Sequence, residues 1–354
     1  MHSEALPRPL DGTTHKGSAP ARPRALFILD AASRHLIYGE PEMKKLGQIA
    51  DFYGPPQTRD TIKANPALLS RAEVIFSGWG APIMDEAFLQ AAPNLKAVFY
   101  GAGTVGYCTT DAFWERDIII TSAYAANAVP VAEYTLAAIL LSLKKFWQYS
   151  TLARKGSGWD GNQTRDVPGC FRRTVAVIGC GAIGRRLIEL LKPFDLRRIA
   201  YDPYLTGAEA SLLGVELCGS LEEAFAKGDV VTLHTPDKPS TRGMITGQLF
   251  ASMKRDATFI NTARAAIVRQ DEMEEVLSQR PDLTAVLDVT DPEPPPDSAP
   301  LLHLPNVVIT PHIAGSHAGE CERLGQYMVE EFERYLAGQP LRWQVTRELV
   351  GKLA

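Results

Sequence analysis

A chain of 354 residues, 45% of them hydrophobic and 22% charged, is long enough for two domains with real cores and has the balance of a soluble globular protein. Its net charge of −4, from 37 Lys and Arg against 41 Asp and Glu, offers no positive field to hold a phosphate backbone, which argues against nucleic acid as a partner. Five widely spaced cysteines (Cys108, Cys170, Cys180, Cys218, Cys321) contain no CxxC pair, so neither a disulfide framework nor a metal site is expected, and a reducing cytoplasm fits best.

Residues 1–23 are rich in Pro, Gly and Ser, lack the apolar segment of a secretory signal and read as a flexible tail. From residue 24 onward, short β-rich apolar runs alternate with longer segments of helical period, the pattern of parallel strands joined by crossover helices. Runs at 25–29, 73–77, 96–100 and 117–121 are predicted strands. Residues 126–150 then carry continuous helical period, which predicts one long helix with Pro130 in its first turn. The longest apolar stretch there, Leu136 to Leu143, is interrupted by Ser142 and is far shorter than the roughly 20 residues of a spanning helix, so no membrane association is expected. A polar, glycine-rich segment at 153–173 precedes six more predicted strands, at 174–179, 197–202, 229–234, 257–262, 284–289 and 306–310. Residues 317–338 are a predicted terminal helix, stopped at Gly338-Gln339-Pro340 and free to return to the first domain. The predicted class is therefore α/β, with two sheets, one on each side of the long helix.

The second series opens with TVAVIGCGAIGRRLIELL, in which Gly179, Gly181 and Gly184 stand between a β-branched strand and an apolar-periodic helix. The first glycine permits a tight turn, the second lets backbone N–H groups reach a pyrophosphate at the helix start, where Ala182 and Ile183 lie, and the third lets helix and strand pack closely. Asp202 ends the next strand, where a carboxylate accepts from both ribose hydroxyls and repels the 2′-phosphate of NADP, so the pattern points to NAD. Arg185 and Arg186 are the nearby cations that could answer such a phosphate.

Downstream, FINTARAAIV, LDVTDPEP and VVITPHIAGS place ionisable residues after strands. The carboxyl ends of strands in an open parallel sheet face the ligand crevice, so Arg264, Asp288, Glu293 and His312 can converge there. Oxidising an alcohol needs a base, which His312 can be with Glu293 fixing its tautomer, and a 2-hydroxy acid needs a cation for its carboxylate, which Arg264 supplies as a rigid fork. Singly, these residues have plainer readings as a surface ion pair, a structural hydrogen-bonder and a solvated carboxylate. It is their joint occurrence after a placed dinucleotide motif that favours chemistry.

With GCGAIG plus Asp202, LHTPDKPSTRGMI (233–245), NTAR (261–264), LDVTDPEP (287–294) and TPHIAGS (310–316), the chain resembles the D-2-hydroxyacid dehydrogenase family from about Arg24 to Gly338. The resemblance implies Rossmann-like and flavodoxin-like parallel-sheet domains with the active-site cleft between them: 24–127 plus 315–340 for substrate, 128–314 for NAD. It also implies that Arg264 binds the substrate carboxylate and carbonyl oxygen, that His312 is the acid/base, and that Glu293 orients it. Asp288 would meet the nicotinamide carboxamide, and His234, Thr235, Pro236, Thr262 and Ala263 would line the cofactor cleft. The GAG loop at 101–103 would hold the substrate carboxylate through the N–H groups of Ala102 and Gly103. A homodimer through about 128–170 is implied, with Trp159 reaching toward the partner's pocket.

Departures from the family pattern are Val105 where relatives often carry Asp, Ala265-Ala266 for Gly-Gly, and Tyr134 where AEH is common. Glu293 stands where formate dehydrogenases have Gln, which disfavours that branch. IFSGWG (75–80) lacks the Arg-Ser that phosphoglycerate dehydrogenases often present there, and their regulatory C-terminal domain is missing, so glyoxylate, hydroxypyruvate or another compact keto acid ranks above phosphoglycerate. A corepressor-like NAD-binding regulator is the alternative of another class.

Overall fold

The computed structural model describes residues 22–159 and 166–350. The predicted tail up to residue 21, and residues 160–165 of the implied partner-contacting segment, lie outside the described residues.

All ten predicted runs form strands, and they fall into two sheets. The first contains β1 (Arg24–Ile28), β2 (Asp51–Phe52), β3 (Val74–Ser77), β4 (Ala97–Tyr100) and β5 (Ile119–Ser122). The second contains β6 (Thr174–Ile178), β7 (Arg197–Tyr201), β8 (Glu216–Leu217), β9 (Val230–Leu233), β10 (Thr258–Asn261), β11 (Thr284–Leu287) and β12 (Val307–Ile309). A last strand, β13 (Gln344–Val345), adds antiparallel to β5 at the edge of the first sheet. The orders are β13-β5-β4-β3-β1-β2 and β12-β11-β10-β9-β6-β7-β8, with every other pairing parallel. These are the flavodoxin-like and Rossmann orders, which reverse beside β1 and beside β6 and open a crevice there.

Both faces of each sheet are covered, which is why the strands read as nearly unbroken apolar runs. Leu26, Ile28, Ile75 and Val98 enter one core of the first sheet, while Ala25, Phe27, Phe76 and Phe99 enter the other, as period two requires. The terminal helix Cys321–Leu336 does return to the first sheet, where Leu324, Met328 and Phe332 join Phe27, Phe76 and Phe99. Fully buried Phe332 sits edge-on to Phe76 and Phe99, with ring centroids 5.1 and 5.2 Å away. Phe332→Ala is expected to cost about 3–5 kcal/mol of stability, read as a lower urea midpoint at unchanged slope.

The long helix differs from its sequence reading in two ways. It begins at Tyr124, whose N–H is accepted by the Ser122 hydroxyl at 3.2 Å, so Pro130 lies in its interior. It also ends at Leu143, and a second helix, Phe146–Arg154, follows a left-handed turn at Lys145 (φ 48°) whose ammonium is 2.9 Å from Asp256. Side-chain period cannot register a kink of one residue, which is why the two helices read as one. The first helix is, at 20 residues, long and apolar enough by length and composition to cross a membrane, yet 56% of an 18-residue apolar stretch of it is buried inside the protein. Its apolar character is explained by that burial, against the helix Ala182–Leu191 and strands β9 and β10.

Candidate active site

The glycine turn is built as the residue types require. Gly179 has φ 92°, and a Cβ there would lie 2.8 Å from the backbone carbon of His234, so only glycine fits both the conformation and the contact. A Cβ on Gly184 would come 2.1 Å from the Gly179 carbonyl oxygen, which is the close packing of helix on turn. Gly181 caps the helix Ala182–Leu191, and among the described residues nothing beyond its own chain neighbours and helix backbone lies within 4 Å of where its Cβ would be. That leaves an open approach to the helix N-terminus, suited to an anion. Exposed Ala182 and half-buried Ile183 begin this helix.

Asp202 follows β7 and folds over the turn, with Oδ2 accepting from Cys180 N–H at 2.7 Å and Oδ1 from Tyr204 N–H at 2.8 Å. Arg185, one of the two cations in reach by sequence, donates to Glu209 Oε1 at 3.0 Å and to the Cys180 carbonyl at 2.9 Å, so its charge is already answered. Arg186 is exposed. His234 is occupied differently from its expected place in the cleft. Its ring is buried, Nε2 lies 3.0 Å from the Thr232 hydroxyl, Nδ1 has no partner among the described residues, and burial pushes its pKa down to about 3. Thr235 and Pro236, half-buried, continue the chain past the glycine turn.

The ends of β10, β11 and β12, neighbours in one sheet, carry Arg264, Asp288 and His312. His312 Nδ1 lies 2.7 Å from Glu293 Oε1, both side chains are partly exposed, and a carboxylate can only accept, so Nδ1–H donates and Nε2 is left toward solvent. The His312 backbone is left-handed, φ 54°, a conformation costing a non-glycine residue roughly 1–3 kcal/mol unless its surroundings impose it. Asp288 imposes it. Its carboxylate is 2% exposed and accepts from the Thr310 hydroxyl at 2.6 Å, Ile313 N–H at 2.8 Å and Ala314 N–H at 2.9 Å, while its carbonyl accepts from His312 N–H at 3.0 Å. Asp288 therefore anchors the histidine loop, whatever further contact it makes.

Arg264 is half-buried, and among the described residues it makes no ion pair; its guanidinium donates only to its neighbour Ala263's carbonyl, at 2.6 Å. Asn261 shapes its turn, accepting from Ala263 N–H at 2.9 Å and donating to the Arg264 carbonyl at 3.2 Å. Thr262 is buried, with its hydroxyl 3.3 Å from that of Thr135. The two alanines at 265–266 form a short 3-10 turn.

On the first sheet, the loop after β4 is held by the Ser122 hydroxyl, which donates to the carbonyls of Ala102 and Gly103. Ala102 N–H is spent on the Tyr100 carbonyl at 2.9 Å, whereas Gly103 N–H finds no acceptor among the described residues. Val105 is fully buried in the core beneath the loop. Loops belonging to the two sheets both approach Asn127, which sequence reasoning did not single out. Its Oδ1 accepts from Ser316 N–H at 3.0 Å, and its Nδ2 lies 3.7 Å from where a Cβ on Gly103 would be. Asn127 lacked a sequence signal, and Asn261 entered only as the first residue of NTAR; only their place in the turns shows what they hold.

Two doubly wound domains around a glycine turn capped by a strand-end carboxylate define a dinucleotide-binding α/β protein. Residues 136–314 match the NAD-binding domain of the D-isomer specific 2-hydroxyacid dehydrogenases. The chain is 32% identical over 251 residues to the D-3-phosphoglycerate dehydrogenase of Methanocaldococcus jannaschii, covering 71% of itself but 47% of that relative, and so spans about half its length. By structure it is similar to a phosphoglycerate oxidoreductase from Rhizobium etli (TM-score 0.79, 23% identity, 93% of this chain and 100% of that one). The D-mandelate dehydrogenase of Rhodotorula graminis is similar in the same way (TM-score 0.76, 23% identity, 92% and 98%). The chain belongs to the D-isomer specific 2-hydroxyacid dehydrogenase family.

Proposed function

We propose that this chain is an NAD-linked oxidoreductase interconverting a small D-2-hydroxy acid and its 2-keto acid, with residues 24–127 plus 315–340 binding substrate and 128–314 binding NAD. The observation that carries this reading is His312, three residues past β12 and 2.7 Å from Glu293, on the sheet where β10, one strand beyond β11, leads into Arg264, which makes no ion pair among the described residues. The residues fit the dinucleotide. Gly179, Gly181 and Gly184 leave the helix start open to a pyrophosphate, Asp202 stands over the turn for the ribose, and the Thr235 backbone lies against Gly179; Pro236, Thr262 and Ala263 would line the rest of the cofactor cleft.

Bound NADH supplies the hydride for the keto carbon. The chain's own residues do the rest: Arg264 grips the substrate carboxylate with two parallel N–H bonds and leans one nitrogen toward the keto oxygen. His312 gives that oxygen a proton from Nε2 as negative charge grows on it, and Glu293 stabilises the imidazolium before transfer. The free Gly103 N–H supplies a further donor to the carboxylate. Keto acid, hydride and proton together make the hydroxy acid, and oxidation runs the same path in reverse.

We favour a compact keto acid such as glyoxylate or hydroxypyruvate. The loop after β3 is Gly78-Trp79-Gly80, and the nearby Arg59 guanidinium donates to the Ala81 carbonyl at 2.9 and 3.2 Å, so it does not stand free for a phosphate. The phosphoglycerate reading is favoured by the relative from Methanocaldococcus jannaschii. A homodimer is supported by the apolar side chains left uncovered at Phe146, Leu152 and Phe171, and by Trp159, 81% exposed. A cytoplasmic setting suits the five free thiols.

The deciding experiment follows NADH absorbance with glyoxylate, hydroxypyruvate, pyruvate and 3-phosphohydroxypyruvate. Turnover above about 1 per second with an unphosphorylated acid supports the reading. Tight NADH binding without turnover on any of them would point instead to the regulator. Asp202→Ala is expected to shrink the preference for NADH over NADPH in kcat/KM; equal efficiency of both cofactors with the unmodified protein would remove Asp202 from this role.

A further inference from the structure

The helix Tyr124–Leu143, which carries the chain from one sheet to the other, touches three loops of the candidate site along one stripe. Asn127, Tyr134 and Thr135 stand at i, i+7 and i+8, a single helical face. Asn127 meets Ser316, Thr135 meets Thr262 beside Arg264, and Tyr134 reaches the loop that carries His312.

The last of these contacts has a direction. The Tyr134 and Thr310 hydroxyl oxygens are 2.7 Å apart, and the Thr310 hydroxyl is 2.6 Å from Asp288 Oδ1. A carboxylate only accepts, so Thr310 spends its one proton on Asp288, and Tyr134 must donate to Thr310. Burial and the neighbouring Asp288 charge both push the Tyr134 phenol up, which keeps it a donor. Asp288 in turn holds the N–H groups of Ile313 and Ala314 on either oxygen and, through its carbonyl, that of His312. The relay thus runs from the joining helix to both sides of a left-handed histidine.

We infer that Tyr134 is a positioning residue for the proton-transfer step, acting through Thr310 and Asp288 to fix the 310–314 loop and hence the place of His312. This rests on the acid/base reading of His312 given above. The plainer alternative is that the ring only fills space in the core beneath, a role phenylalanine would fill equally well.

Tyr134→Phe keeps the ring and removes the donor. The expected result is a fall in kcat of roughly three- to tenfold, the effect of one net hydrogen bond on a barrier, with the keto-acid KM and the NADH Kd unchanged and the melting temperature lowered by no more than a few degrees. Thr310→Val is expected to lose the same factor and Thr310→Ser to recover most of it. The double variant Tyr134→Phe/Thr310→Val is expected to be no slower than the slower single, because both break one chain. Unchanged kcat in Tyr134→Phe, or losses that multiply in the double variant, would overturn the inference. Should the unmodified protein bind NADH but turn over no keto acid, the functional reading fails separately. The relay is then read from amide hydrogen exchange at Ile313 and Ala314: exchange faster by about tenfold in Tyr134→Phe supports it, and unchanged protection refutes it.

Discussion

Replacing His312 by alanine is expected to lower kcat for keto-acid reduction by roughly 10²–10⁴-fold, the range for a positioned proton donor, while leaving the NADH Kd nearly intact. The imidazole is partly exposed and buries little, so stability should not fall; removing a side chain from a left-handed position relieves no packing that the fold needs. Glu293→Gln isolates the partner. Gln keeps the shape but replaces the charged acceptor 2.7 Å from Nδ1 with a neutral amide, so kcat is expected to fall by about tenfold while the NADH Kd holds. A His312→Ala protein with unchanged kcat would end the assignment, and an unchanged kcat in Glu293→Gln would contradict the role of the carboxylate.

Arg264→Lys tests geometry against charge. Lysine keeps the positive charge but cannot make two parallel bonds to a carboxylate while a third N–H leans toward the keto oxygen. KM is expected to rise and kcat to fall by on the order of 10², the latter because the oxygen gains charge during hydride transfer and the lost contact is strongest then. Since Arg264 makes no ion pair among the described residues, the melting temperature is expected to hold, which separates this from a structural arginine. Wild-type KM, kcat and NADH Kd in the lysine variant would show that Arg264 is not the substrate clamp.

What the sequence by itself determined is what local chemistry encodes. Strands buried on both faces must be short and continuously apolar, so β1, β6 and their neighbours were legible from composition alone. A strand, three glycines, an amphipathic helix and a strand-end acid likewise describe one contiguous turn, because each glycine answers a constraint imposed within a few residues or by the adjacent strand. The same locality explains the failures. The two-residue strands β2, β8 and β13 are too short to carry a period, and the kink at Lys145 changes one backbone angle without disturbing the apolar pattern on either side.

Only the tertiary structure decided how the polar groups are spent. His234 is buried with its backbone against the glycine turn, and Ala102 gives its N–H to the Tyr100 carbonyl. Asp288 has its carboxylate held by three donors from the histidine loop. Tyr134 and Thr310, 176 residues apart, share a hydrogen bond that no periodicity could announce. A residue's type states which bonds it can make, but which of them it makes depends on the partners that distant segments bring within about 3 Å, and that is settled only when the sheets and the helix between them have packed.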